Sequence, residues 1–213
     1  MAGVGLAVVL AAAVAGGVAA ALAPGDGADA PEPGSVEAIA AELARGQEEE
    51  SAALAAELVE AAVDAHAAAE DVLAGLATIA PPEDALPADE PVETDPQAMA
   101  EQVAQARDLL AATGQGTDDH GVTRAALIGS LDLLGVAVET AAAVPDDADD
   151  AAAAEALARV GRDRDAAVEL WQAGAARLDT LVVETGGEHV HLFLAPDGNP
   201  ESVPLEFREL HED

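Results

Sequence analysis

From residue 3 to residue 23 the chain carries no charged side chain: GVGLAVVLAAAVAGGVAAALA. Coiled as a helix, those 21 residues rise about 30 Å, enough to cross the hydrocarbon core of a bilayer. Gly16 and Gly17 interrupt the run, and membrane helices tolerate glycine better than soluble ones do. Residues 1–23 are therefore expected to be a transmembrane anchor or a signal segment. Two A-x-A sequences offer cleavage sites, Ala21-Leu22-Ala23 and Ala28-Asp29-Ala30, but Pro24 and Pro31 follow them and should hinder a signal peptidase. The first basic residue is Arg45, so flanking charge does not set the orientation. The short N-terminal side and the large polar remainder favour a membrane protein with an extracytoplasmic C-terminal domain, or a secreted one if the segment is removed.

The rest of the chain has the opposite character. Asp and Glu number 42 against eight Arg and no Lys, for a formal net charge of −34. Such a surface repels nucleic-acid phosphates and anionic headgroups, so no nucleic-acid partner is expected, and membrane contact is limited to residues 3–23. Concentrated salt, with a Debye length of about 3 Å at 1 M, would relieve its self-repulsion. The absence of Cys removes disulfides, thiolate metal sites and a Cys nucleophile. The absence of Lys removes a P-loop lysine and a Schiff-base lysine. With Trp171, Phe193 and Phe207 as the sole aromatic residues, few flat faces exist for stacking sugars or bases.

Residues 24–34 (PGDGADAPEPG) read as an acidic Pro/Gly linker. Residues 35–185 read as a helical bundle with a Pro-rich loop at 81–95. Ser35 stands where an N-cap belongs, and a long stretch follows to about residue 80 with Val36, Ile39, Leu43, Leu54, Leu58, Val63, Leu73, Leu76 and Ile79 at helical spacing. Arg45-Gly46-Gln47 and three glutamates break that stripe, leaving one long or kinked helix as the favoured form over two. Asp95-Pro96 is an N-cap followed by a first-turn proline, opening a helix to residue 113 with Met99, Val103, Ala106 and Leu110 inward. A polar loop at 114–121 precedes a helix over 122–144 on Leu127, Leu131, Leu134 and Val138. The last helix runs to about residue 184 on Leu157, Val160, Val168, Trp171, Leu178 and Leu181, and Gly186-Gly187 ends it. The period then changes. Residues 189–194 alternate, 196–199 form a turn, and Val203, Leu205 and Phe207 alternate again, so residues 186–213 are expected to hold a β-hairpin and C-terminal tail. The predicted fold is mainly α: an up-and-down bundle of about four helices after an N-terminal apolar helix, with a C-terminal β-hairpin.

The most pointed chemistry lies in Glu188-His189-Val190-His191. Residues two apart on a strand face the same way, so His189 and His191 should project side by side, opposite Val190, Leu192 and Leu194. Two imidazoles with carboxylates nearby suit Zn²⁺, Cu²⁺ or Ni²⁺. His211, and with it Glu206, would approach them if the second strand pairs back. The alternative for the same residues is an exposed polar strand face. His66 with Glu70 one turn on reads as a helix-surface ion pair. No His has Glu three residues before it, which excludes the carboxylate-bundle di-iron pattern. Arg159, Arg162 and Arg164, beside Asp163 and Asp165, read as intrahelical ion pairing. No nucleophile elbow, Gly-rich phosphate loop or Ca²⁺ loop is present.

The expected function is a non-catalytic binding or structural role for an exported or membrane-anchored acidic bundle, with self-association or a protein partner to complete its stripes. The rival is an extracytoplasmic divalent-metal-binding protein using His189, His191 and His211. No catalytic residue and no organic cofactor are expected.

Overall fold

The computed structural model describes residues 32–83, 85, 92, 94–144 and 149–203. The apolar segment at 3–23, the second half of the expected hairpin, His211 and Glu206 lie outside them. Among the described residues the protein is mainly α, with four helices: α1 (Val36–Ile79), α2 (Pro96–Ala112), α3 (Asp118–Ala142) and α4 (Asp150–Glu184). A short 3₁₀ turn, Pro200–Ser202, follows. The chain separates into two units, residues 1–49 and 50–213.

In the first unit the Ser35 hydroxyl accepts from the Ala38 amide at 3.1 Å and opens α1. Val36, Ile39 and Leu43 are exposed there. The polar stretch around Gly46 does not end the helix, and α1 runs to Ile79 as one element.

The second unit holds the bundle core. The starts of α2 and α4 are written in the local sequence. The Asp95 carboxylate accepts from the Gln97 amide at 3.0 Å, with Pro96 in the first turn. The Asp149 carboxylate accepts from the Ala152 amide at 2.8 Å. The third helix begins four residues earlier than expected, because Asp118 and Asp119 suit its positive N-terminal end and extend it across the anticipated loop. Two of the arginines cap helix ends. Arg124 Nη1 donates to the Thr113 carbonyl at 2.7 Å, after α2. Arg164, 3% exposed, donates to the Ala80 carbonyl beyond α1 while its other nitrogens hold Asp165.

Neighbouring helices run antiparallel. Gln102 on α2 donates to Asp71 on α1, and Leu54 of α1 lies against Gly114, just past the end of α2. Arg107 on α2 binds Asp132 on α3 at 2.7 Å, and Val103 meets Gly135. Asp119, Leu127 and Ser130 of α3 meet Arg177, Gly174 and Ala167 of α4, in reverse order along the two chains. Every predicted core residue of α2 and α3 is buried. On α1 the buried face differs from the predicted one: Ala55, Ala62, Ala65 and Ala69 join Leu58, Leu73 and Leu76, while Val63 is exposed. Alanine lets the helix backbones come close, and bulk at Val63 is left outside.

Helix α3 is long and apolar enough to cross a membrane by length and composition. Its Leu127, Leu131, Leu134 and Val138 are part of the bundle core, and it carries Arg124, Asp132 and Glu139.

The first half of the expected hairpin, residues 189–194, forms no strand, and its second half beyond Val203 lies outside the described residues. Among the described residues there is no strand. Residues 187–195 are extended, but side chains of the helices bond their backbone in place of a partner strand. A strand needs a neighbour for its N–H and C=O groups, and here the helices supply it. The expected alternation survives: Leu192 and Leu194 are buried, and His189 and His191 are exposed.

Candidate metal centre

The site is assembled by the way α4 ends. Gly186 adopts φ +83°, a left-handed conformation that glycine reaches without a Cβ clash. Its amide donates to the Val183 carbonyl at 3.0 Å, and the Gly187 amide donates to Val182 at 2.9 Å, the two bonds of a Schellman motif. The turn sends the chain back along the last turns of α4. It brings residues 189 and 190 opposite Asp179, which lies on α4 before the helix end.

Asp179 is the centre of the geometry. One carboxylate oxygen, Oδ1, accepts from the Val190 amide at 2.8 Å. His189 Nδ1 donates to the same carboxylate, 3.0 Å from Oδ1 and 3.1 Å from Oδ2. Burial pushes the Asp179 carboxyl up. The Val190 amide, the His189 hydrogen bond and the nearby imidazoles of His189 and His191 together outweigh that effect and hold it below its ordinary 3.8. The side chain is ionised at neutral pH and 25% exposed, while that of His189 is 66% exposed.

The rings of His189 and His191 stack with centroids 5.8 Å apart and planes 14° apart. Phe193 continues the stack on His191 at 6.2 Å. One ligand atom each from Asp179, His189 and His191 lies within 4.8 Å of the others, a separation that a single ion can bridge. Of the predicted ligands, the structure brings His189 and His191 together, and His211 lies outside the described residues. Asp179 escaped the sequence reading because nothing local distinguishes it from the chain's other carboxylates. The Gly-Gly helix end followed by an alternating segment was the usable signal. A chain folded back at that point must lie on the last turns of α4.

The other histidines do different work. His66 is half-buried, not a surface residue: its Nε2 donates to the Phe193 carbonyl at 3.0 Å. Glu70 is its neighbour, as the spacing predicts, at 3.5 Å from Nδ1. His120 is buried in the first turn of α3, with Nδ1 3.0 Å from the Thr117 hydroxyl. A groove of about 310 Å³ near the end of α3 and the start of α4 is floored by Ala143, Ala152 and Ala156, with Arg159 paired to Glu155 at its side. Arg159 is some 20 residues before Asp179, or about 30 Å along α4, so this groove is separate from the histidine pair.

Compared with protein-family models, with curated proteins and with solved structures, the chain matches none of them.

Proposed function

We propose that this protein is an exported or membrane-anchored helical bundle whose role is binding, and that it binds a divalent transition metal through Asp179, His189 and His191. The carrying observation is the convergence of three ligand atoms within 4.8 Å on one side of the α4 terminus. Two imidazoles and one carboxylate form a borderline donor set, which favours Zn²⁺, Cu²⁺ or Ni²⁺ over the all-oxygen cations Ca²⁺ and Mg²⁺. The carboxylate is already ionised and oriented by the Val190 amide, the kind of outer contact that fixes a ligand before the ion arrives. A cation at His189 Nδ1 would displace the hydrogen bond to Asp179 and leave the ring proton on Nε2; because only unprotonated ligand atoms bind an ion, binding weakens on acidification.

The exposure of His189 supports binding over catalysis, because an ion held at the rim is not enclosed with a substrate away from water. The remaining coordination positions fall to water or a small exchanging ligand, which suits reversible handling of the ion. The uncharged run at 3–23 supports export or anchoring, with the bundle on the extracytoplasmic side. A second reading is self-association, favoured by Val36, Ile39 and Leu43, which are exposed at helical spacing in residues 1–49.

Equilibrium dialysis of the full chain, purified without an affinity tag, against Zn²⁺, Cu²⁺ and Ni²⁺ tests the proposal. One ion retained per chain is expected, and its loss in Asp179→Ala and in the double variant His189→Ala/His191→Ala. A wild-type protein that retains none of the three ions overturns the metal reading. The oligomer mass in a native mass spectrum decides the second reading.

A further inference from the structure

We infer that His66, on α1, is a positioning residue for the Asp179–His189–His191 site, and that ion binding and the docking of residues 187–195 are linked through it. The inference rests on the metal reading above and adds a means of control to it.

Residues 187–195 have no partner strand among the described residues, yet their backbone is pinned from both sides. In an extended chain successive carbonyls point in opposite directions. The Leu192 carbonyl accepts from the Trp171 indole N–H and the Leu194 carbonyl from Gln172 Nε2, both on α4. The Val190 amide, on that same side, donates to Asp179 of α4. The carbonyl between them, that of Phe193, points the other way and accepts from His66 on α1. The side chains of Leu192 and Leu194 are buried, so the segment is held by alternate apolar residues and by donors on both edges.

This arrangement fixes register, and register decides the site. A slip of one residue would turn His189 and His191 inward and expose the two leucines. Pins on the α4 side alone leave the segment free to rotate about that edge, and His66 closes the other edge. His66 is itself held in place. Its Nδ1 faces Glu70, and its ring lies against Trp171 with centroids 6.0 Å apart. Beyond the segment, Gly198 at φ +69° sits against the α1 backbone, where a Cβ would come within 2.3 Å of the Glu70 carbonyl. The segment is therefore anchored at both ends, at Asp179 and at Gly198, with His66 between.

Linkage then works in both directions. Anything that docks the segment raises ion affinity, and the ion, by bridging α4 to the segment, docks it further. Trp171, the one tryptophan in the chain, has its indole N–H on the segment, so its fluorescence reports docking.

The test measures Zn²⁺ affinity of the full chain by chelator competition, together with Trp171 fluorescence and amide hydrogen exchange over residues 187–195. In the wild type, Zn²⁺ should slow exchange in the segment and shift the Trp171 emission. His66→Ala should weaken Zn²⁺ binding about 10- to 100-fold, the usual effect of removing an outer contact that orients ligands. His66→Gln, whose amide nitrogen can occupy the place of Nε2, should restore most of the affinity. A merely structural role for His66 would lower the melting temperature in both variants and leave affinity within twofold. If the wild type binds Zn²⁺ and His66→Ala binds it within twofold, the positioning role is wrong and the metal site stands. If the wild type binds no Zn²⁺, the metal site falls and this inference with it. Should His66→Ala fail to fold by circular dichroism, wild-type exchange carries the test, and exchange unchanged by Zn²⁺ overturns the linkage.

Discussion

Helix α3 and the segment after α4 both announce themselves by the period of their apolar residues, and they find partners in different ways. In α3, Leu127, Leu131, Leu134 and Val138 recur at helical spacing, and all are buried. In residues 189–194 the period is two, and Leu192 and Leu194 are buried while His189 and His191 face outward. The helix bonds its own backbone and asks its neighbours only for an apolar face. The extended segment leaves its backbone groups for others to satisfy, and Trp171, His66, Gln172 and Asp179 do so. Period thus reports which residues face inward, but it does not report what bonds the backbone.

Trp171 belongs to both regions, so its removal should give the largest effect. It is fully buried in the bundle and donates to the segment. Trp171→Ala should destabilise the fold by about 3–5 kcal/mol, measured by urea unfolding followed by circular dichroism. A loss below about 1 kcal/mol would mean that the bundle core does not depend on it.

Gly198→Ala should separate the two regions. A left-handed φ costs a side chain about 1–2 kcal/mol, and the added Cβ would also meet backbone of α1. Segment 187–203 should exchange its amides faster while helix α3 keeps its protection. Equal loosening of both would show that the segment and the bundle are a single cooperative unit.

Acid should act on the segment through Asp179. Its carboxyl is held below the ordinary value, so it contributes stability that is present above the unfolded-state value and lost as pH falls through the folded one. Glu70 has the opposite sign. Burial raises its carboxyl, the charge of His66 lowers it and that of Asp71 raises it, for a net rise. Its contribution is present at low pH and fades as pH rises through its folded value. Below about pH 4, segment docking should therefore weaken first at the Asp179 end and persist longer near Glu70. Hydrogen exchange at residues 188–191 and 195–198 over that range checks the order, and simultaneous release would contradict it.

The smallest effect should come from Arg107→Ala. Its bond to Asp132 is short, but the two side chains are 47% and 55% exposed. Water and salt screen such a pair, and the expected loss is below about 1 kcal/mol in urea unfolding. A larger loss would make this ion pair part of what holds α2 on α3.

Much of the bundle was legible because its signals are local. Asp95-Pro96 starts α2 and Gly186-Gly187 ends α4, each acting on backbone groups within a few residues. The stripes of α2, α3 and α4 named their own buried faces, since each needs only the helical period. The buried face of α1 was harder to read, because alanines fill it and alanine is common on every face of this chain. The outward pairing of His189 and His191 was legible from a spacing of two.

What only the tertiary structure decided are the encounters between distant residues. His66 meets Phe193 across 127 positions, Arg164 meets Ala80 across 84, and Asp179 meets His189 only because the chain reverses at Gly186. These groups are a common type in an acidic, arginine-bearing chain, and nothing beside them in sequence marks the ones that pair. Local sequence determined the helices, because a helix closes its hydrogen bonds within four residues. Three-dimensional packing chose the neighbours of the extended segment, and with them the ligand set of the candidate site, because an extended backbone must find its partners elsewhere in the chain.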